Sequence, residues 1–555
     1  MPVKRSFWYV AIGAFALLTM MLSACGPTSS GPTTGGNTPV KGGTLIDGLF
    51  EEPDTLMSGV TSETFAVMVD QALWAPLFYG DANGTPHPGL ATQVPSTTNG
   101  GVSADGKTYT INLRPNLKWS DGSPLTADDV VFTINLEMTP AYGTKAALDT
   151  ANIASVTASN PTTVVITLKK VEPPFLPTGL VDPGNFNPMP KAVYGSMAPA
   201  AVAKVFTPMV TSGPFMFKSE SDHVKGDHIT LYRNPNYFNA PQPYLDSVQF
   251  KIIPDQNTIL TALQSGTIHT AWDLDINKVD SYKAIQGYTF TTDKVPSSWE
   301  ALFMNESNPI LADPVVRKAI AMGIKISDIQ ALWHGTAKPT CDDAPGSFGH
   351  DPQLVPCYTF DPTTAGNNLT ADGWVMGSDG YRHKGGKTLE LRYTTTSSKT
   401  YRVQTQQIVK QNLQPLGIKI DIVGQTATQF FGSTLYDYSA YDLAEFASST
   451  GYDPDDHTYF MCNQLTSAPG GFNVSHYCNP QVDAQYQIEL SNPDQSARKA
   501  AFTAIHTQLT QDLPVIWYYS YGDLAVYKNT VHNYVPAGTG ETYNIWEWWC
   551  TGGKC

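Results

Sequence analysis

A chain of 555 residues exceeds what a single hydrophobic core accommodates, so two or three lobes are expected. Its formal net charge of −15 repels phosphate backbones and argues against a nucleic-acid partner. With 15% charged and 11% aromatic residues, it has too much to bury for a disordered acidic tail.

The chain opens with Lys4-Arg5, an apolar run over residues 7–22, and Leu22-Ser23-Ala24-Cys25, the order of a bacterial lipoprotein signal. The run is shorter than the roughly 20 residues a membrane span requires. Removal of residues 1–24 and acylation of the Cys25 thiol are therefore expected, with the lipid as the only hold on the membrane. Export removes Lys4 and Arg5 but no acid, so the body becomes more negative still. No second long apolar run follows Leu22, which excludes a permease. Residues 25–41 read as a flexible tether: the stretch GPTSSGPTTGGNTPV has nothing to bury and reaches roughly 20 Å.

Folded structure begins near Lys41-Gly42-Gly43-Thr44. Alternating side chains predict strands at 109–114, 163–168 and 247–253. Thr126 ahead of Asp129 and the apolar Val130, Val131 and Ile134 predicts a capped helix. Asp313-Pro314, Asn479-Pro480 and Asn492-Pro493 each place a polar cap before proline at the first helical position. Ile408, Val409, Leu413 and Leu416 share one helical face before Gly417, and a strand at 418–422 follows. Ala501, Phe502, Ile505 and Leu509 share another face. The body is mixed α/β.

Beyond Cys25, six cysteines fall as Cys341/Cys357, Cys462/Cys478 and Cys550/Cys555. Thiols oxidise outside the cell, and disulfides between sequence neighbours are the simplest pairing. Closing a loop of about 15 residues stabilises by roughly 3 kcal/mol in the chain-entropy model. No CxxC spacing or histidine companions suggest a metal, and no cofactor motif is present.

Five ordered stretches resemble the family 5 extracellular solute-binding proteins, the peptide/nickel-binding components of ABC importers. The first is YTINLRPNLKWSDGSPLTADDVV at 109–131. The second joins TSGPF at 211–215, RNPNYF at 233–238 and PYLD at 243–246, and the third runs from Pro254 to Gly266. EALFMN at 300–305 with VVRKAI at 315–320 is the fourth, and NPQVD at 479–483 the fifth. Most of these residue types suit turns and caps, so they identify a family better than a site. The resemblance implies an α/β fold of the two-lobed periplasmic-binding-protein type (type II, cluster C), with mixed sheets and a hinge. The N-terminal lobe would span 42–295 plus 516–555, with an inserted subdomain, and the C-terminal lobe 296–515. Crossings are expected near Val295-Pro296 and Leu513-Pro514.

The implied activity is non-catalytic: hinge closure over a peptide, and delivery to an ABC permease with its ATPase subunits. The protein would act as a monomer outside the cell membrane. Candidate ligand contacts are Glu52, Trp299, Asn305, Thr450, Tyr452, Asp453, Tyr518 and Tyr519. Tyr518 and Tyr519 should point oppositely on a strand, so at most one faces the groove. Where the family holds a peptide amine with an aspartate four residues before a proline, this chain has Thr450. That departure puts amine recognition in question: Asp453 takes the role if the loop shifts, or Asp453 only starts the turn at Pro454, and a threonine invites neutral, hydroxyl-rich ligands such as oligosaccharides. The cluster Asp453, Asp455, Asp456 and His457 lacks EF-hand spacing and reads as a solvated acidic turn. Two rivals remain at this stage: a secreted carboxylate-based hydrolase, and a sensor that presents ligand to a membrane kinase.

Overall fold

The computed structural model describes residues 38–61, 63–144, 150–181, 184–449, 451–468, 471–538 and 540–555. The signal, Cys25 and Thr450 therefore lie outside the described residues. No described helix is long and apolar enough to cross a membrane.

Two large sheets organise Pro39–Cys555. At the centre of the first, Thr44–Leu49 runs parallel to Ser247–Ile252 on one side and to Thr270–Ala271 on the other. Antiparallel strands extend both flanks to eight in all. They include His228–Arg233 beyond Ser247–Ile252, and Leu524–Lys528 followed by Tyr288–Thr292 beyond Thr270–Ala271. Between Thr44–Leu49 and the rest of this sheet, the chain makes a separate antiparallel sheet. There Thr163–Leu168 lies between Thr108–Asn112 and Ile153–Asn160, matching two of the predicted strands. Val164, Ile166 and Leu168 face inward at alternate positions, the pattern of a sheet with one wet face.

The second large sheet has five strands in the order Lys419–Gln425, Glu390–Thr396, Leu443–Ser449, Ser298–Met304, Val515–Tyr521. Its inner strands Ser298–Met304 and Leu443–Ser449 are buried on both faces along most of their length, Glu300 and Glu445 included. Tyr401, Val409 and Leu413 of helix Thr400–Leu413 cover one face, together with Val316 and Ile320 of Pro314–Gly323. Val482 and Tyr486 of Pro480–Ser491 cover the other, with Phe502, Ile505 and Leu509 of Gln495–Asp512.

The chain passes between the two large sheets twice. The first passage, between Thr292 and Ser298, contains Val295-Pro296. The second lies at Gly522-Asp523 rather than at Leu513-Pro514. Val515–Tyr521 pairs along Ser298–Met304 and so belongs to the five-stranded sheet, which corrects the expected boundary at 515/516. Leu513 ends a helix in the left-handed conformation (φ 58°), and that proline-marked break resembles a boundary in sequence.

Helix caps follow the residue types. Asp129 accepts the Thr126 amide at 2.9 Å, Asp313 accepts from Val315 and Asn479 from Gln481. The last long helix is capped by Asp494, which accepts the Ala497 amide at 2.8 Å. The expected Asn492-Pro493 start is thus two residues early, because the aspartate reaches the third amide of the turn while proline stays outside it. All three cysteine pairs are disulfides: Cys341–Cys357, Cys462–Cys478 and Cys550–Cys555.

Candidate functional site

A cleft of about 1080 Å³ opens between the two large sheets. Its back wall is the first passage, residues 295–298, beside Asp523 of the second. Trp272, directly after strand Thr270–Ala271, and the segment from Lys170 to Thr178 line the N-terminal side. The turn Gly451-Tyr452-Asp453 and the helix end near Leu490 line the other. The two sides touch. Gly84 (φ +77°) packs so closely on Tyr452 that a Cβ there would stand 2.9 Å from the Tyr452 Cβ. Only glycine combines that left-handed turn with so near an approach.

Asp293 locks the two passages together. Its carboxylate accepts the Trp272 indole Nε1–H at 3.0 Å and the Asp523 backbone amide at 3.0 Å. Burial lifts the Asp293 pKa to about 6, opposed by those two hydrogen bonds and assisted by Asp273. Asp523 is held well above the ordinary carboxylate range, first by burial and then by the charges of Asp293 and Asp273. Burial and mutual repulsion thus hold these clustered acids toward the neutral form, and a cation arriving beside them would favour their ionisation.

The sequence-derived candidates separate sharply. Tyr452 lines the cleft, and its hydroxyl accepts from Gln495 Nε2 at 3.1 Å. Asp453 borders it too, but its carboxylate receives both terminal nitrogens of Arg498 at 2.5 and 2.6 Å, a fork that also reaches Glu489. This buried network makes Asp453 a structural anchor instead of a free amine acceptor. Of its neighbours, Asp455 accepts from His457 at 2.5 Å and Asp456 accepts the Tyr486 hydroxyl at 2.8 Å, so the turn is a set of separate pairs, not a solvated run. Burial opposes the charge on His457, yet the Asp455 bond raises its pKa above the ordinary value.

Trp299, Asn305, Tyr518 and Tyr519 are all buried side chains and do not line the cleft. Trp299 packs edge-on against Tyr459 in the core. The Asn305 amide donates to the Tyr438 and Tyr441 carbonyls. A β-bulge explains the tyrosines: Glu300 pairs with Tyr519 while Ala301 pairs with Trp517, so strict alternation breaks at Tyr518. Tyr518 and Tyr519 consequently enter the same core, and Trp517 the opposite one. Glu52 lies away from the cleft, accepting from His223 Nε2 at 3.1 Å and the Gly226 amide at 3.2 Å. Thr450 lies outside the described residues. Sequence reading missed Trp272, Gly84, Asp293 and Asp523. The chain offers no local sign of them: Gly84 meets Tyr452, and Asp293 meets Asp523, only once segments more than 200 residues apart fold together, while the Trp272–Asp293 bond spans 21 residues.

A model of the bacterial extracellular solute-binding proteins, family 5 Middle, matches residues 85–472. The oligopeptide-binding protein AppA of Bacillus subtilis (strain 168) is 24% identical over 560 residues, covering 98% of this chain and 99% of its own. Among solved structures, the ABC transporter substrate-binding protein CtaP from Listeria monocytogenes superposes with a TM-score of 0.78 at 23% identity, over 92% of this chain and 100% of that one. AppA from B. subtilis in complex with a nonapeptide gives a TM-score of 0.70 at 22% identity, over 92% and 100%.

Proposed function

The chain belongs to the bacterial extracellular solute-binding proteins, family 5, and we propose that it captures peptides by hinge closure and hands them to an ABC permease with its ATPase subunits. The observation that carries this reading is the cleft of about 1080 Å³, walled by both large sheets and backed by the two passages. A ligand that touches both walls completes its contacts only in the closed state, so that difference in binding energy favours closure. Asp523, with Asp293 and Asp273 behind it, receives the ligand's ammonium, in place of the aspartate that this chain lacks at position 450. The peptide leaves chemically intact. Cys25 carries the lipid that keeps the body at the outer face of the membrane.

A thermal-shift screen of peptides and oligosaccharides, with native mass spectrometry of the ligand that co-purifies, tests the reading. A peptide present at about 100 times its Kd stabilises by about 2.7 kcal/mol if it binds only the folded form. Asp523→Asn should weaken free-amine peptides and leave their N-acetylated counterparts unchanged. Stabilisation by oligosaccharides alone, or a product that accumulates with time, refutes the proposal.

A further inference from the structure

Behind the cleft wall formed by the five-stranded lobe, three buried side chains from three segments converge. Asp343 comes from the loop closed by Cys341–Cys357, Asp456 from the cleft-lining turn, and His506 from helix Gln495–Asp512. One donor atom of each lies within 4.8 Å of the others. His506 Nε2 stands 3.4 Å from Asp456 Oδ2 and 3.7 Å from Asp343 Oδ2, and each side chain is at most 2% exposed. Neither His506 Nε2 nor Asp343 Oδ2 has a hydrogen-bond partner.

The surroundings fix what these atoms offer. His506 Nδ1 contacts the Phe502 carbonyl at 3.1 Å. A carbonyl only accepts, so Nδ1 carries a proton and Nε2 is the ring atom turned toward the two carboxylates. The Tyr486 hydroxyl donates to Asp456 Oδ1 at 2.8 Å, leaving Oδ2 for the centre. Second partners of this kind orient metal ligands. Protons shared among the three groups can hold these atoms together, and so can a divalent ion, which brings two carboxylates and a neutral imidazole to zero. Ligand atoms on a tetrahedral ion with bonds of about 2.1 Å stand about 3.4 Å apart, close to the two separations to His506 Nε2.

We propose that Asp343, Asp456 and His506 form a site for a divalent transition-metal ion of the zinc class, which ties the disulfide loop and the cleft-lining turn to the helix behind them. An imidazole with two carboxylates suits zinc and its neighbours, while calcium and magnesium take oxygen ligands alone. The site is separate from solute capture and stands whether or not the ligand is a peptide.

The intact protein, produced in zinc-supplemented medium and dialysed against metal-free buffer, should retain one zinc per chain by elemental mass spectrometry. Protein stripped with a chelator should take up cobalt(II) and gain its visible absorption. His506→Gln should lose both signals while keeping a native circular dichroism spectrum. Tyr486→Phe keeps all three ligands and should weaken zinc binding by about 10–100-fold, so it decides the matter if His506→Gln fails to fold. Wild-type protein that retains no zinc and takes up neither ion overturns the proposal. So does equal zinc in wild type and both variants, or uptake only when a chelating solute fills the cleft.

Discussion

Arg498 shows how far one side chain's surroundings decide its meaning. Its guanidinium bridges Asp453 and Glu489, and burial together with Asp455 holds the Glu489 pKa at about 8. Removing one partner of a buried ion pair strands the rest. Arg498→Met should therefore cost about 3–5 kcal/mol in urea unfolding, far more than an exposed arginine would. Glu137 tests the opposite case, a buried acid with no cation beside it among the described residues. It accepts from the Ser58 hydroxyl and the Phe186 amide, and burial raises its pKa to about 8 from an ordinary 4.5. Between those values the folded state holds one more proton than the unfolded chain, so stability falls as pH rises. Glu137→Gln should make that decline shallower by about 1.4 kcal/mol per pH unit between pH 5 and 8, as chemical denaturation at each pH will measure. Composition named both residues acidic or basic; only the packing around them set their charge states.

Elements were the most legible level, and their failures have local causes. The strands at 108–112 and 163–168 were readable because one face stays wet and alternation survives. Val515–Tyr521 defied alternation because a bulge opposite Glu300 and Ala301 turns Tyr518 and Tyr519 into one core. No pattern in the strand itself announces a bulge set by its partner. Capping was legible to within two residues. Asp494→Ala should cost about 1 kcal/mol, since Asp494 holds the Ala497 amide of the helix that carries Arg498 and His506. The disulfide spacing was equally plain. Replacing both Cys462 and Cys478 by alanine should cost roughly 3 kcal/mol, because the loop of 16 residues then regains its freedom in the unfolded chain.

Across the whole molecule, the near approach of Gly84 to Tyr452 links the cleft's two sides. If that contact belongs to the closed state alone, Tyr452→Ala removes energy from closure and nothing from the separated lobes. The variant should bind solute more weakly and, at saturating ligand, show a larger radius of gyration by small-angle scattering than wild type does. Asp293 works at the same scale from behind, joining Trp272 to the second passage at Asp523. Family membership and the two-lobed plan were available from five ordered sequence blocks, whereas most of the cleft's lining was not.

What the chain determined by itself was local: cysteine spacing, caps, alternation, and turn-rich blocks whose residue types follow from backbone geometry within a few positions. Tertiary structure alone decided which carboxylates gather at the rear of the cleft and which, like Asp453, are consumed by a buried arginine. It also decided that Trp299, Tyr518 and Tyr519 are core and that Trp272 lines the wall. The reason is distance along the chain. A ligand site between two lobes is assembled from segments that share no sequence window, and the setting of a residue such as Asp293 depends on a neighbour 230 positions away.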